Sequence, residues 1–261
     1  MIRYVLFAIL SFPIRSAFAQ DTPGSDTLKT QVSEWDTLMA HPVIYGEGRE
    51  VLSGTTHDLS LLDIRAYSLP AGRPFPQEDR PVSDQLLIVK EGSLTITINK
   101  MTKVLGPGGV GLFSAGEEPE IINRSNSPAT CYIFRFRSRS PKDPQRAAQA
   151  GGPFLIDWQD IPMKRTDKGE SRPIFSRPVA WLGKIDMHAT TLNPGEVSHP
   201  QHTHRNEEII LLRSGHVQMH IANGYHKAAG GELVFLASGI PHALENKSSE
   251  RCEYFALQWQ P

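Results

Sequence analysis

Between Gly195 and Gly215 the chain carries His202 and His204 on alternate residues and then Glu208, while His242 follows beside Gly239, Pro241 and Asn246. Imidazoles and a carboxylate gathered in this way are donors for a transition-metal ion. Side chains of an extended strand repeat every second residue, so the spacing predicts His202 and His204 on one face, both within reach of one ion. Glu208 opens the aliphatic run to Ser214, read as the next strand after a turn over His204–Glu207. Neutral imidazole nitrogens and a carboxylate suit Mn, Fe, Ni, Cu or Zn, and the lack of thiolates argues against a closed structural zinc site. An ion that takes about five or six donors keeps positions open for substrate or water.

These spacings resemble a known family. The stretch from Gly195 through His202, His204 and Glu208 to Gly215 resembles the first cupin motif, and the stretch from Gly231 through Gly239 and His242 to Asn246 resembles the second. One residue more than is usual separates Gly195 from His202, and Ala237 stands where proline is usual; both are loop or turn positions. The resemblance implies a small β-barrel of roughly six to eight strands with one divalent ion held on inward-facing side chains.

Stepping each residue number by 123 superimposes the first half of the chain on the second without a gap. Trp35 meets Trp158, Arg49 meets Arg172, Asp63 meets Asp186, Gly72 meets Gly195, Gly92 meets Gly215 and Asn123 meets Asn246. Alternating Leu94, Ile96 and Ile98 match Val217, Met219 and Ile221, and glycines and prolines punctuate many short runs. The expected fold is therefore all-β, two tandem cupin (double-stranded β-helix or jelly-roll) barrels. Residues 32–137 are expected to form the first, 138–154 a linker and 155–261 the second. The same step takes His202 to Asp79, His204 to Pro81, Glu208 to Gln85 and His242 to Pro119. Prolines cannot ligate through their side chains, so the first barrel is expected to be metal-free and to serve packing, substrate capping or self-association.

Residues 1–19 combine a short positive start at Arg3, an apolar stretch from Tyr4 to Phe12 and the small-x-small pattern Ala17-Phe-Ala19. This is a Sec-type signal pattern with cleavage expected after Ala19, and the apolar part is shorter than the about 20 residues of a membrane span. Residues 20–31 read as a flexible polar leader. A periplasmic or secreted location follows, with no membrane partner after cleavage. The formal charge of −1 at pH 7 becomes −3 without Arg3 and Arg15, which gives no basic patch for nucleic acid. Outside the cytoplasm the ion would be chosen in competition with copper and zinc.

Other candidates carry less weight. His199, in the loop feeding the ligand strand, and His188, on another strand, are candidate acid-base or pocket groups. His216, His220 and His226 are left out of the site, Glu207 is read as facing outward, and Trp35 and Trp158 are read as arms covering barrel faces. Cys131 and Cys252 fall in separate barrels and are expected to be buried free thiols. Three function classes fit a small-molecule partner: a Lewis-acid enzyme acting on a hydroxy acid, keto acid or sugar derivative; a quercetinase-like dioxygenase using Fe, Ni or Cu; and a binding protein without turnover. Within the first, the two-barrel architecture also resembles (S)-ureidoglycine aminohydrolases, whose ligand spacing differs.

Overall fold

The computed structural model describes residues 27–76 and 81–261. The signal-like stretch and Asp79 lie outside them. Two seven-stranded antiparallel sheets carry the fold, each facing a small three-stranded sheet across a barrel interior. The first large sheet runs, side by side, Phe154–Ile156, Val110–Phe113, Asp84–Glu91, Ala129–Ser138, Leu59–Leu69, Gly46–Gly54 and His41–Val43. The second runs Gln31–Ser33, Leu233–Leu236, Glu208–Ser214, Cys252–Gln260, Lys184–Leu192, Gly169–Arg177 and Lys164–Thr166, which is the same order. Among the described residues no helix is long and apolar enough to cross a membrane.

The sheet boundaries differ from those drawn on the sequence. Gln31–Ser33 pairs with Leu233–Leu236 of the second barrel, while Phe154–Ile156 pairs with Val110–Phe113 of the first. Each repeat thus lends its opening strand to the other and covers an edge that would otherwise present unpaired backbone groups. Part of the expected leader is held by both barrels: Leu28 donates to the Thr55 carbonyl of the first, and Thr30 Oγ1 accepts from Ala237 N of the second. The expected linker contains the helix Pro144–Gln149, capped by Asp143, whose side chain accepts from Gln145 N and Arg146 N.

Parity along the central strands explains the packing. In Glu208–Ser214, Ile210 and Leu212 belong to the second barrel's own core with Val217, Met219 and Leu244. Ile209 and Leu211 face the other way and join a larger shared core with Leu86, Ile88, Phe134 and Phe136 of the first barrel. A strand buried on both faces reads as a continuous apolar run, which is what Ile209–Leu212 is. Gly215 closes the turn that follows, at φ 75°, and a Cβ there would lie 2.6 Å from the Arg251 carbonyl oxygen. Asn246 is fully buried and its amide donates to the carbonyls of Leu192, Asn193 and Glu250, so this motif residue pins the barrel end. Asn123 does the same in the first barrel, toward Leu69, Pro70 and Ser127.

The tryptophan arms pack as expected. Trp35 meets Tyr132 edge-on under Arg49 and Lys90, and Trp158 meets Phe255 under Arg172 and Arg213. Cys131 and Cys252 are buried and free, and burial pushes their thiols up, to about 12 and about 11.

Asp84 bridges the barrels, its carboxylate accepting from Ala115 N at 2.8 Å and, across the interface, from Trp181 N at 2.7 Å. Burial raises this carboxyl to about 6 from 3.8, against the pull of those amides. The folded state therefore holds the proton more tightly than the unfolded chain, and the stability Asp84 contributes declines as pH rises from about 4 to about 6. Asp84→Ala is expected to lower stability by about 2 kcal/mol at pH 5 and to flatten the decline in urea midpoint over that interval; an unchanged slope would remove Asp84 as its source.

Candidate metal centre

His202, His204, Glu208 and His242 converge at one end of the second barrel. Two groups of side chains each place their donor atoms within 4.8 Å of one another, His204 with Glu208 and His242, and His199 with His202 and His242. Ring centroids are 4.7 Å apart for His202 and His242, 4.9 Å for His204 and His242, and 5.3 Å for His202 and His204. His202 and His204 do not sit in a regular strand. His202 forms an isolated bridge with His242, with hydrogen bonds of 3.1 and 2.9 Å exchanged between the two backbones. The bridge brings both rings beside that of His242, with His204 half-buried and His202 exposed. Glu208 opens its strand, as the aliphatic run predicts, and His242 opens His242–Glu245.

Hydrogen bonds determine which nitrogen each ring offers. His204 Nδ1 donates to the Asn206 carbonyl at 2.7 Å and His242 Nδ1 to the Ile240 carbonyl at 2.8 Å. In a neutral ring so held, the lone pair is on Nε2. Both Nε2 atoms face Glu208 Oε2, at 3.3 Å from His204 and 3.2 Å from His242. The His242 contact lacks hydrogen-bond alignment, and this buried nitrogen has no hydrogen-bond partner. Lone pairs converging on a carboxylate oxygen require positive charge between them, supplied by protons or by a cation, so the donor set fits a divalent ion. Burial alone would push the Glu208 carboxyl up, but the His204, His242 and Gln258 side chains around it outweigh that and hold it down at about 2. The carboxylate is thus charged at any working pH, and its contact with His204 raises that imidazole above its usual range.

The cluster opens on a cavity of about 150 Å³ whose walls include His188, His199, Met219, Tyr254 and Gln258. Both weaker sequence candidates therefore line it. His199 lies edge-on to His202 with centroids 4.1 Å apart, and burial holds its pKa below the usual imidazole range. His188 is also 4.0 Å from Asp186. Two lining residues escaped the sequence reading. Gln258 Nε2 donates to Glu208 Oε1 at 3.2 Å, and the Tyr254 hydroxyl donates to Ser198 Oγ at 2.9 Å. Both have even numbers on the closing strand, the parity of its inward face, but the motif does not extend there. His220 stacks on Tyr225 and shares a neighbouring pocket with His199.

Glu207 corrects an expectation. Its parity does turn it out of the barrel, but outward here means the barrel interface, where it is 1% exposed and accepts from His57 N at 3.0 Å and Trp259 Nε1 at 3.2 Å. In the first barrel, Pro81, Gln85 and Pro119 occupy the places matching ligands, and among the described residues the groupings able to hold an ion all lie in the second.

The family pattern of the cupin domain matches residues 188–257. No curated protein sequence matches the chain. Solved structures of similar fold include AerE from Microcystis aeruginosa, 13% identical, covering 86% of this chain and 98% of that one at a TM-score of 0.63. Protein Ylba from E. coli is 13% identical over 94% of this chain and 96% of that one, with a TM-score of 0.68. The formate complex of Lactobacillus farciminis oxalate decarboxylase is 14% identical over 90% and 88%, with a TM-score of 0.67. Residues 188–257 thus match the cupin domain, and the chain as a whole shares its fold with these solved structures.

Proposed function

We propose that this protein is a metal-dependent enzyme that works outside the cytoplasm on a small, oxygen-rich metabolite bearing at most one free anionic group. The observation that carries the reading is the pair of donor groupings that share His242, one with His204 and Glu208 and the other with His199 and His202, beside a partly open cavity of about 150 Å³. A cavity of that size holds about one six-membered ring, which limits the substrate to a compact hydroxy acid, keto acid or sugar fragment. None of the lining residues is lysine or arginine. A second carboxylate would therefore meet no cationic side chain, and a substrate with one chelating oxygen pair fits better than a dianion.

His202, His204, Glu208 and His242 would hold the ion, which when bound supplies Lewis-acid stabilisation of charge developing on a substrate oxygen. The chain's own residues do the rest. Gln258 and the Asn206 carbonyl orient Glu208 and His204, while Ile210, Met219 and Leu244 shield the cavity from water. His199 and His188 are placed to move a proton at the cavity wall, and the Tyr254–Ser198 pair offers an uncharged hydrogen-bonding edge. The equivalence of the two large sheets supports an origin by internal duplication, and the pattern of residues 1–19 supports export.

The test begins with protein recovered from its own compartment. A mature chain starting at Gln20 with about one divalent ion per chain is expected, and turnover of a hydroxy- or keto-acid panel under nitrogen is expected with several divalent ions. Absence of metal from the native protein would sink the reading. Oxygen uptake accompanying turnover would transfer the site to the dioxygenase class.

A further inference from the structure

Three residues separate His204 from Glu208, and all three are tied down. The Asn206 carbonyl accepts from His204, and its amide donates to Gln258 Oε1 at 3.4 Å, which links it to the amide that holds Glu208. The other two side chains leave the second barrel. Arg205 pairs with both oxygens of Asp58 in the first barrel, Nη1 to Oδ2 at 3.1 Å and Nη2 to Oδ1 at 3.0 Å, and Asp58 is 3% exposed. Glu207 accepts from Thr56 Oγ1 and His57 N as well as from Trp259. Thr56, His57 and Asp58 form one turn of the first barrel, between Gly46–Gly54 and Leu59–Leu69. That turn is itself braced, by Leu59 N donating to Thr56 Oγ1 at 3.0 Å and by the Arg139 guanidinium on the Thr56 carbonyl.

From this juxtaposition we propose that the first barrel serves as a clasp for the metal centre, with Thr56 and Asp58 positioning His204 and Glu208 through Arg205 and Glu207. The proposal rests on the metal-centre reading above. Its physical basis is the cost of burying a carboxylate without donors: Glu207 keeps its buried pose only while Thr56 and His57 serve it. Glu207 and Glu208 are consecutive and point to opposite faces of one strand, so holding the first in the interface aims the second into the cavity. Loss of Thr56 or Asp58 frees the turn to shift and misplaces two ligands at once.

The repeat supplies its own control. The offset of 123 takes Glu207 to Asp84 and Thr56–Asp58 to Val179–Trp181. Asp84 does accept from Trp181 N at 2.7 Å, and Trp181 Nε1 donates to the Val82 carbonyl at 2.7 Å, where Arg205 meets Asp58 on the other side. The interface therefore holds two matching clasps, of which one continues into ligands and the other into Gln85. A merely structural clasp would make them equivalent with respect to metal binding.

Binding of Co2+ to the full metal-free chain, by titration calorimetry and visible absorption, tests the proposal. Arg205→Gln and Thr56→Val are expected to weaken Co2+ binding about tenfold, the scale for losing an outer-shell partner, and to alter the cobalt spectrum. Thr56→Ser is expected to restore both. Asp84→Ala should lose stability yet bind Co2+ as wild type does. Arg205→Gln leaves a mostly exposed position and keeps the chain foldable should Thr56→Val not be. Wild-type affinity and spectrum in folded Arg205→Gln would overturn the proposal, as would equal weakening in Asp84→Ala. Failure of the metal-centre reading looks different: wild type and His242→Ala would then both fail to take up Co2+, and the clasp would fall with it.

Discussion

His242→Ala is expected to abolish stoichiometric binding of a divalent ion, lowering affinity by more than the roughly 100-fold that loss of an outer-shell partner can cost. His242 belongs to both groupings of donors, so its removal breaks the cluster on both sides. It is buried at 3% exposure, its ring fixed by the Ile240 carbonyl, which leaves a neighbouring imidazole little room to replace it. Stability provides a second readout. An ion present at 1,000 times its dissociation constant stabilises the native state by about 4 kcal/mol, which raises Tm by roughly 10 °C in a chain of this size. The wild-type protein should show that rise on loading and lose it to a chelator, while His242→Ala should melt at one temperature with or without metal. A variant that still binds one ion tightly would place the centre elsewhere.

Trp259→Ala is expected to destabilise the protein by about 3–5 kcal/mol, the range for emptying a large aromatic from a core. Trp259 is 1% exposed in the shared core, its ring centroid 5.7 Å from that of Phe136 in the other barrel, and its indole N–H donates to Glu207. The substitution therefore leaves a cavity between the barrels and strips one donor from a buried carboxylate. Because the largest core draws on both barrels, wild type should unfold in urea as one cooperative transition. A lower midpoint with the transition still single is the expected result for the variant. Two separated transitions in the wild-type protein would mean that each barrel folds on its own.

The contrast between Glu207 and Glu208 shows how far the sequence could be read. Period-two alternation assigned the two carboxylates to opposite faces, and the structure has them so. Alternation carries no information about what lies beyond the outer face, and an outward residue on an isolated barrel would be wet. The continuous run Ile209–Leu212 was the available signal, since a strand apolar on both faces must be covered on both. His202 and His204 show the converse: their side chains converge as the spacing requires, although an isolated bridge, rather than a strand, places them. Gln258 and Tyr254 could not be found by motif, because they reach the cavity from a closing strand at least 50 residues from their partners Glu208 and Ser198.

By itself the sequence determined a cluster of potential metal donors, the all-β architecture, the matching of its two halves at an offset of 123 and the presence of non-ligating Pro81 and Pro119 in the first half. These are properties of residue type and local spacing, which side-chain chemistry and strand periodicity settle without reference to the rest of the chain. Tertiary structure alone decided that the repeats exchange their opening strands, that Glu207 is buried and that the Thr56–Asp58 turn grips the segment between His204 and Glu208. Each of these depends on which surfaces meet between segments distant in the chain, and no local pattern encodes that meeting.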